Sequence, residues 1–130
     1  MPTRDEHLTK AEHNEAFYGS FDTTATPFLD WIVTGLFYCG LHYIDAYLAT
    51  INLHPRFHGR PGQRNDCVAN MSQLQPIWPH YRALKDDSED ARYGFDTLGL
   101  RYFSQAEVAA ARDTDLAMVR SHILQLLGMI

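Results

Sequence analysis

The side chains best suited to chemistry lie between positions 42 and 64, where histidine and arginine are concentrated. They are His42, Asp45, His54, Arg56, His58, Arg60 and Arg64. Segment 54–64 contains no acidic residue, although the formal net charge of the whole chain is -5. A guanidinium group offers a planar fork of N–H donors to phosphate or carboxylate oxygens. The segment could therefore hold an anion. The alternative is a solvated loop whose arginines pair with acidic residues elsewhere.

His42 and Asp45 lie three positions apart in a predicted helix and therefore on one face of it. A carboxylate beside an imidazole fixes the tautomer of the ring and raises its basicity, as in general bases and metal ligands. The other interpretation is a histidine that is satisfied by a local partner and half covered by a neighbouring helix. The sequence leaves both interpretations open.

A metal site is the less favoured use of the same residues. His42, His54 and His58, with Asp45, could supply nitrogen and oxygen ligands to a divalent metal. The arginines of segment 54–64 would repel a cation, and no two histidines four positions apart lie in a predicted helix. We therefore predict an anion site with no metal and no cofactor. No cysteine or serine has a nucleophile-elbow context, so catalytic residues are not assigned.

The size of the chain limits its organisation. Its 130 residues, 45% of them hydrophobic, suffice for one core, so we predict a single domain over 1–130. The longest apolar run, 31–41, is shorter than the roughly 20 residues that cross a bilayer, and the N-terminal segment lacks the apolar run of a signal peptide. Cys39 and Cys67 form no metal-type pair and no disulfide framework. These features predict a cytoplasmic protein without a membrane partner.

Helical spacing and capping residues predict the elements that position these side chains. Helices are expected from about 4–10 to 19, from 26 to 51, from 65 to 81 and from 104 to 127. Pro76 and Pro79 should kink or break the third helix. Segment 94–103 should be extended and a short helical turn should follow Ser88. We expect Phe28 and Tyr93 to be buried. The fold class is therefore all-α, an up-down bundle of four main helices with a long central helix.

Three segments together resemble the HEPN superfamily, the nucleotide-binding domains of higher eukaryotes and prokaryotes. They are FYCGLHYIDAYLA at 37–49, IWPHYRAL at 77–84 and DSEDARY at 87–93. The similarity covers roughly residues 7–95 and is greatest to small stand-alone bacterial HEPN-like proteins. The positions that match those proteins are Tyr38, His42, Asp45, His54, Arg60, Tyr81, Ser88, Arg92 and Tyr93.

The resemblance implies a helical bundle, frequent homodimerisation and association with RNA or nucleotides, often as a ribonuclease. Active members of the superfamily carry an arginine followed, after four to six residues, by a histidine. This chain has no arginine with a histidine at that distance, and the nearest arrangement is reversed, with His54 before Arg60. RNA cleavage by that motif is therefore not predicted, and whether the protein is an enzyme stays open.

The leading hypothesis is a homodimeric, HEPN-like protein that binds a nucleotide or an RNA phosphate. The predicted ligand-binding residues are His42, Asp45, His54, Arg56, Arg60 and Arg92. The net charge of -5 argues against extended duplex nucleic acid as a partner. Two alternatives remain: a non-enzymatic interaction module such as an antitoxin-like partner, and a metal-dependent enzyme that resembles the three-histidine DNA-damage-inducible bundles. Self-association should use faces rich in Phe17, Tyr18, Trp31 and Tyr47.

Overall fold

A computed structural model describes residues 1–55, 63–96, 99–100 and 102–130. Its long helices are α1 (Arg4–Gly19), α2 (Leu29–Thr50), α3 (Gln63–Asn70) and α4 (Trp78–Tyr93). The last helix, α5, consists of Gln105–Ala110, a π-helical turn at Ala111–Leu116, and Ala117–Leu126. A 3-10 turn, Gln75–Ile77, precedes α4. The strands β1 (Phe95–Asp96) and β2 (Gly99–Leu100) pair antiparallel within the segment predicted to be extended. The predicted all-α bundle is confirmed.

Helix α1 begins where its capping residues predict. The Thr3 hydroxyl accepts from the Glu6 backbone N–H, and the Glu6 carboxylate accepts from the Thr3 backbone N–H, so two N–H groups at the helix start gain partners. Leu8 and Ala11 form the buried face of α1. Because this face packs antiparallel on α2, the start of α1 lies beside the end of α2.

Helix α2 is the centre of the bundle, with α1, α4 and α5 packed around it. Val33, Ile44 and Leu48 are fully buried, as predicted. Two details of the prediction are wrong. The helix begins at Leu29, because the Thr26 hydroxyl accepts from the Phe28 backbone N–H in a turn before the helix. The Phe28 side chain is 61% exposed. Within the described part of the chain, no helix has the length and apolarity to cross a membrane.

The proline-containing region divides into two helices, as predicted, with α3 ending at Asn70 and α4 beginning at Trp78. Pro79 lies in the first turn of α4, where its missing N–H costs no helical hydrogen bond. The short turn predicted after Ser88 is wrong, because α4 continues without interruption to Tyr93. The buried Tyr81 and Leu84 side chains pack α4 against α2.

Helix α5 closes the bundle. Ser104 and Glu107 form the predicted capping box at its start, and Gly128 adopts a positive φ of 71° after its end, a conformation that glycine adopts readily. The π-helical turn was not predicted, because the apolar residues on either side of it still recur at near-helical spacing. Val108, Leu116, Val119 and Ile123 are buried as expected.

Candidate functional site

Two histidines meet where α1 packs across the end of α2. The Nδ1 atoms of His7 and His42 are 3.2 Å apart, and their ring centroids are 5.4 Å apart. At this distance one imidazole donates its Nδ1–H and the other accepts with its Nδ1 lone pair. The two Nε2 atoms must then differ, one carrying a lone pair and the other a proton. The pair therefore carries one further donor and one further acceptor on neighbouring rings.

Burial keeps this pair uncharged at neutral pH. The pKa of His7 lies below its usual 6.5, chiefly because burial disfavours the charged ring, with the charges of Arg64 and His54 acting in the same direction and that of Asp45 opposing them. The pKa of His42 is lowered by burial and then by His7. Two adjacent imidazoles do not both take up a proton easily. A negative group bound here would oppose that lowering.

Beside the histidines lies a buried ion pair. Arg64 donates from Nε to Oδ1 of Asp45 at 2.7 Å and from Nη2 to Oδ2 at 2.9 Å. The side chains are 20% and 7% exposed. Both Asp45 oxygens accept from Arg64, and the hydrogen-bond partner of His42 is His7, so the geometry favours the interpretation of a histidine satisfied by a neighbouring helix. The Asp45 charge is neutralised within the site.

Tyr81 and Asn65 hold the other side of Arg64. The Tyr81 hydroxyl donates to Asn65 Oδ1 at 2.7 Å and lies beside the Arg64 guanidinium, which favours its oxygen as an acceptor. Burial raises the pKa of Tyr81 to about 12, although the Arg64 charge opposes the shift. Tyr81 is therefore a neutral, fixed hydrogen-bonding group, and Arg64 is restrained between a carboxylate and a phenol.

The ends of the predicted basic loop lie at this site. His54 is close enough for its charge to lower the pKa of His7. Arg64, which the sequence placed in the loop, belongs to α3. The predicted ligand-binding residues Arg56 and Arg60, and His58 with them, lie outside the described residues. The structure thus brings His42, Asp45 and His54 together with Arg64 at the points where the chain enters and leaves segment 56–62.

Arg92 lies at the end of α4, away from the ion pair. Its Nε donates to the Ser88 carbonyl at 3.2 Å, and Nη1 donates to the Tyr38 hydroxyl at 3.4 Å. The predicted burial of Tyr93 is wrong: its side chain is 70% exposed. Tyr38, which Arg92 contacts, lies one turn before His42 on α2.

His7 was not predicted as a site residue, although its position in the sequence carried a signal. His7, Ala11 and Tyr18 recur at the spacing of one helical face, and Ala11 is fully buried. A histidine one position before the buried Leu8 was therefore a candidate for a helix-to-helix contact.

The arrangement suits an anion better than a metal ion. Within the described ranges, no three His, Cys, Asp or Glu side chains are grouped so that they could hold a metal. Cys39 is buried and its pKa is raised to about 12, chiefly by burial, so it is a poor nucleophile.

No family model matches the chain, and no curated protein or solved structure is similar to it. The chemistry of the site therefore has to be argued from its own geometry.

Proposed function

We propose that this protein binds a phosphate group of a nucleotide or of RNA at the His7–His42 pair. The observation that carries the proposal is the 3.2 Å contact between the two Nδ1 atoms. The histidine pair lies beside Arg64, where the chain enters and leaves a segment that contains Arg56 and Arg60. The proposal agrees with the HEPN resemblance in ligand class. It includes no RNA cleavage, because the arginine–histidine motif of active members is absent.

Electrostatics explain why an anion would bind here. One Nε2–H of the pair donates to a phosphate oxygen. The ring with the free Nε2 lone pair can take up a proton and become a second donor. A bound phosphate stabilises that proton, which offsets the burial that lowers both pKa values. Asp45 does not repel the ligand strongly, because Arg64 neutralises it. Binding should therefore strengthen as the pH falls from 7 towards 6.

The test is the melting temperature measured against inorganic phosphate, since a ligand of the native state alone stabilises it in proportion to the logarithm of its concentration. We expect phosphate to raise the melting temperature of the wild type and to have little effect on His42→Ala, His7→Ala or Arg60→Ala. His13→Ala is the matched control, because His13 is an exposed histidine on the same helix as His7. Equal phosphate shifts in His42→Ala and His13→Ala would remove the proposal.

A second candidate function is favoured by exposed aromatic side chains at the opposite end of α2. Phe17 is 55% exposed, and Phe28 and Trp31 are each 61% exposed. Exposed aromatic clusters of this kind mark protein interfaces. On this basis the protein is a non-enzymatic interaction module that forms homodimers through this end. A monomeric mass in light scattering at tens of micromolar would contradict it, and a dimer that Trp31→Ala dissociates would support it.

The proposed location is the cytoplasm. Cys39 and Cys67 are both free thiols, which is typical of proteins in a reducing compartment. Fractionation of cells that produce the protein would test the location. Recovery with the secreted or membrane fraction would contradict it.

A further inference from the structure

We infer that Tyr38, Arg92 and Tyr93 form a subsite that stacks a nucleobase, and that guanine is the base it fits best. The inference rests on the proposed phosphate site, because the base and the phosphate would belong to one nucleotide. It assigns a ligand class to residues that the phosphate site leaves unused. Arg92 was predicted from the sequence to bind a ligand, but its position at the end of α4 separates it from the histidines.

The stacking surface is already assembled. The Arg92 guanidinium carbon lies 5.1 Å from the ring centroid of Tyr93 and 5.9 Å from that of Tyr38. Hydrogen bonds to the Ser88 carbonyl and the Tyr38 hydroxyl fix its orientation. Tyr93 is 70% exposed and Tyr38 is 37% exposed. An aromatic ring and a flat guanidinium, both open to solvent, are the groups on which single-stranded nucleic acids stack their bases.

A cavity adjoins this surface. It has a volume of about 530 Å³ and is lined by Glu89, Asp90, Arg92, Tyr93 and Gly94. Small-molecule sites commonly have volumes of about 300–1,000 Å³, so a nucleobase fits. The cavity gives a base one aromatic wall and one acidic wall.

The subsite and the phosphate site lie along the same face of α2. Tyr38 and His42 are four positions apart on α2, so they lie on one face and about 6 Å apart along the helix axis. A nucleotide whose base occupies the subsite would extend along this face towards the histidines. Tyr38 thus joins the two parts of the surface, with its hydroxyl at Arg92 and His42 on the following turn.

The acidic wall selects among bases. An ionised carboxylate only accepts hydrogen bonds, and Glu89 and Asp90 bring carboxylates to the cavity. Guanine presents two adjacent N–H donors on its Watson–Crick edge, which a carboxylate can accept together. In adenine and cytosine a ring acceptor lies beside the amino group, and in uracil two carbonyls flank the single N–H. The same carboxylates would repel a phosphate, which keeps the phosphate at the histidine end.

The experiment separates the subsite from the phosphate site by using four probes: inorganic phosphate, guanosine, guanosine monophosphate and uridine monophosphate. Calorimetric titration of the wild type should give a dissociation constant for guanosine monophosphate about tenfold lower than that for uridine monophosphate. Tyr93→Ala should remove that difference and abolish guanosine binding, while the affinity for inorganic phosphate stays unchanged. Phe28→Ala is the matched control, because it removes an aromatic ring that is 61% exposed and lies outside the subsite.

The double variant Glu89→Gln, Asp90→Asn tests the choice of base. We expect it to bring the two monophosphates to within about twofold of each other, because amides do not accept both guanine donors. If phosphate binds the wild type but the two monophosphates bind equally, the base subsite is overturned and the phosphate site stands. If phosphate fails to bind while guanosine binding depends on Tyr93, the phosphate site is overturned and the stacking subsite stands. Guanosine binding unchanged in Tyr93→Ala would overturn the subsite outright.

Discussion

Two clusters of similar composition lie at α2 and have different consequences. Each consists of a carboxylate, an arginine and a tyrosine. The Asp45 cluster comprises Asp45, Arg64 and Tyr81, and the Glu15 cluster comprises Glu15, Arg120 and Tyr43. In the Glu15 cluster the carboxylate accepts from the Tyr43 hydroxyl at 2.8 Å and from Arg120 at 2.5 Å. These bonds join α1, α2 and α5, so the cluster is structural.

The two clusters differ in their burial and in the side chains that lie beside them. The Asp45 cluster is the more buried, with exposed fractions of 7% and 20%, against 26% and 41% for Glu15 and Arg120. Two uncharged imidazoles lie beside it. The Glu15 cluster borders a cavity of about 450 Å³ whose other charges, Arg112 and Asp113, already pair with each other. A carboxylate–arginine pair is therefore weak evidence for a binding site unless groups with spare hydrogen-bonding capacity lie beside it.

The largest difference should appear when each arginine is removed. Arg64→Ala leaves the buried Asp45 carboxylate without its partner, and breaking a buried pair in this way costs about 3–5 kcal/mol of unfolding free energy. Arg120→Ala breaks a half-exposed pair and should cost about 1 kcal/mol or less. Urea denaturation of both variants measures the two values. Equal losses would contradict the difference in burial on which the comparison depends.

A smaller effect is expected at Gly35, on the face of α2 that α1 covers. A Cβ atom at Gly35 would overlap Cζ of Tyr18, so Gly35→Ala must displace that ring. Forcing extra volume into a packed contact costs about 1–3 kcal/mol. Gly19→Ala is the control, because its Cβ would meet no atom within 4 Å. Thermal unfolding should show a loss for Gly35→Ala only, and an equal loss in both variants would argue against the Tyr18 contact.

The helix caps provide the smallest test. Thr3→Ala and Ser104→Ala should each lower the unfolding free energy by about 1 kcal/mol, because each hydroxyl accepts from a backbone N–H at a helix start. Only Thr3 caps the helix that carries His7 on its first turns. We therefore expect Thr3→Ala to weaken phosphate binding and Ser104→Ala to leave it unchanged. Titration calorimetry of both variants with phosphate measures the two affinities. A weaker affinity in Ser104→Ala than in Thr3→Ala would contradict the expectation.

The elements were predictable because their signals are local. The boxes at Thr3 and Ser104, the prolines at the start of α4 and the glycine after α5 each act within a few residues, and the helix boundaries beside them follow these signals. Phe28 and Tyr93 were misjudged for the opposite reason. Their burial depends on whether another element covers them, and residue spacing within one helix carries no information on that point.

The site was only partly predictable, because its contacts join distant positions. His42 and Asp45 were found as neighbours on one helix, but their partners are set by packing. His7 is 35 positions from His42, and Arg64 is 19 positions from Asp45. The Glu15 cluster spans 105 positions between Glu15 and Arg120. Such pairs form only after α1, α3 and α5 have docked on α2.

The lowered pKa values give the protein without ligand a defined pH dependence. A histidine whose pKa is lower when folded takes up its proton more readily when unfolded, so the unfolding free energy falls as the pH drops below about 6.5. His7 and His42 both act in this direction. The double variant His7→Ala, His42→Ala should show a smaller fall between pH 7 and pH 5 than the wild type. A fall in unfolding free energy as steep as that of the wild type would mean that other groups cause the pH dependence.

The central claim is that His7 and His42 together bind phosphate, and the pH dependence of the phosphate effect tests it most directly. The increase in melting temperature with phosphate should be measured at pH 7.5 and pH 6.0 in the wild type, His42→Ala and His13→Ala. We predict a larger increase at pH 6.0 in the wild type and in His13→Ala, because bound phosphate favours the protonated pair, and no increase at either pH in His42→Ala. A phosphate effect in His42→Ala as large as in the wild type, or one that weakens at pH 6.0, would contradict the claim.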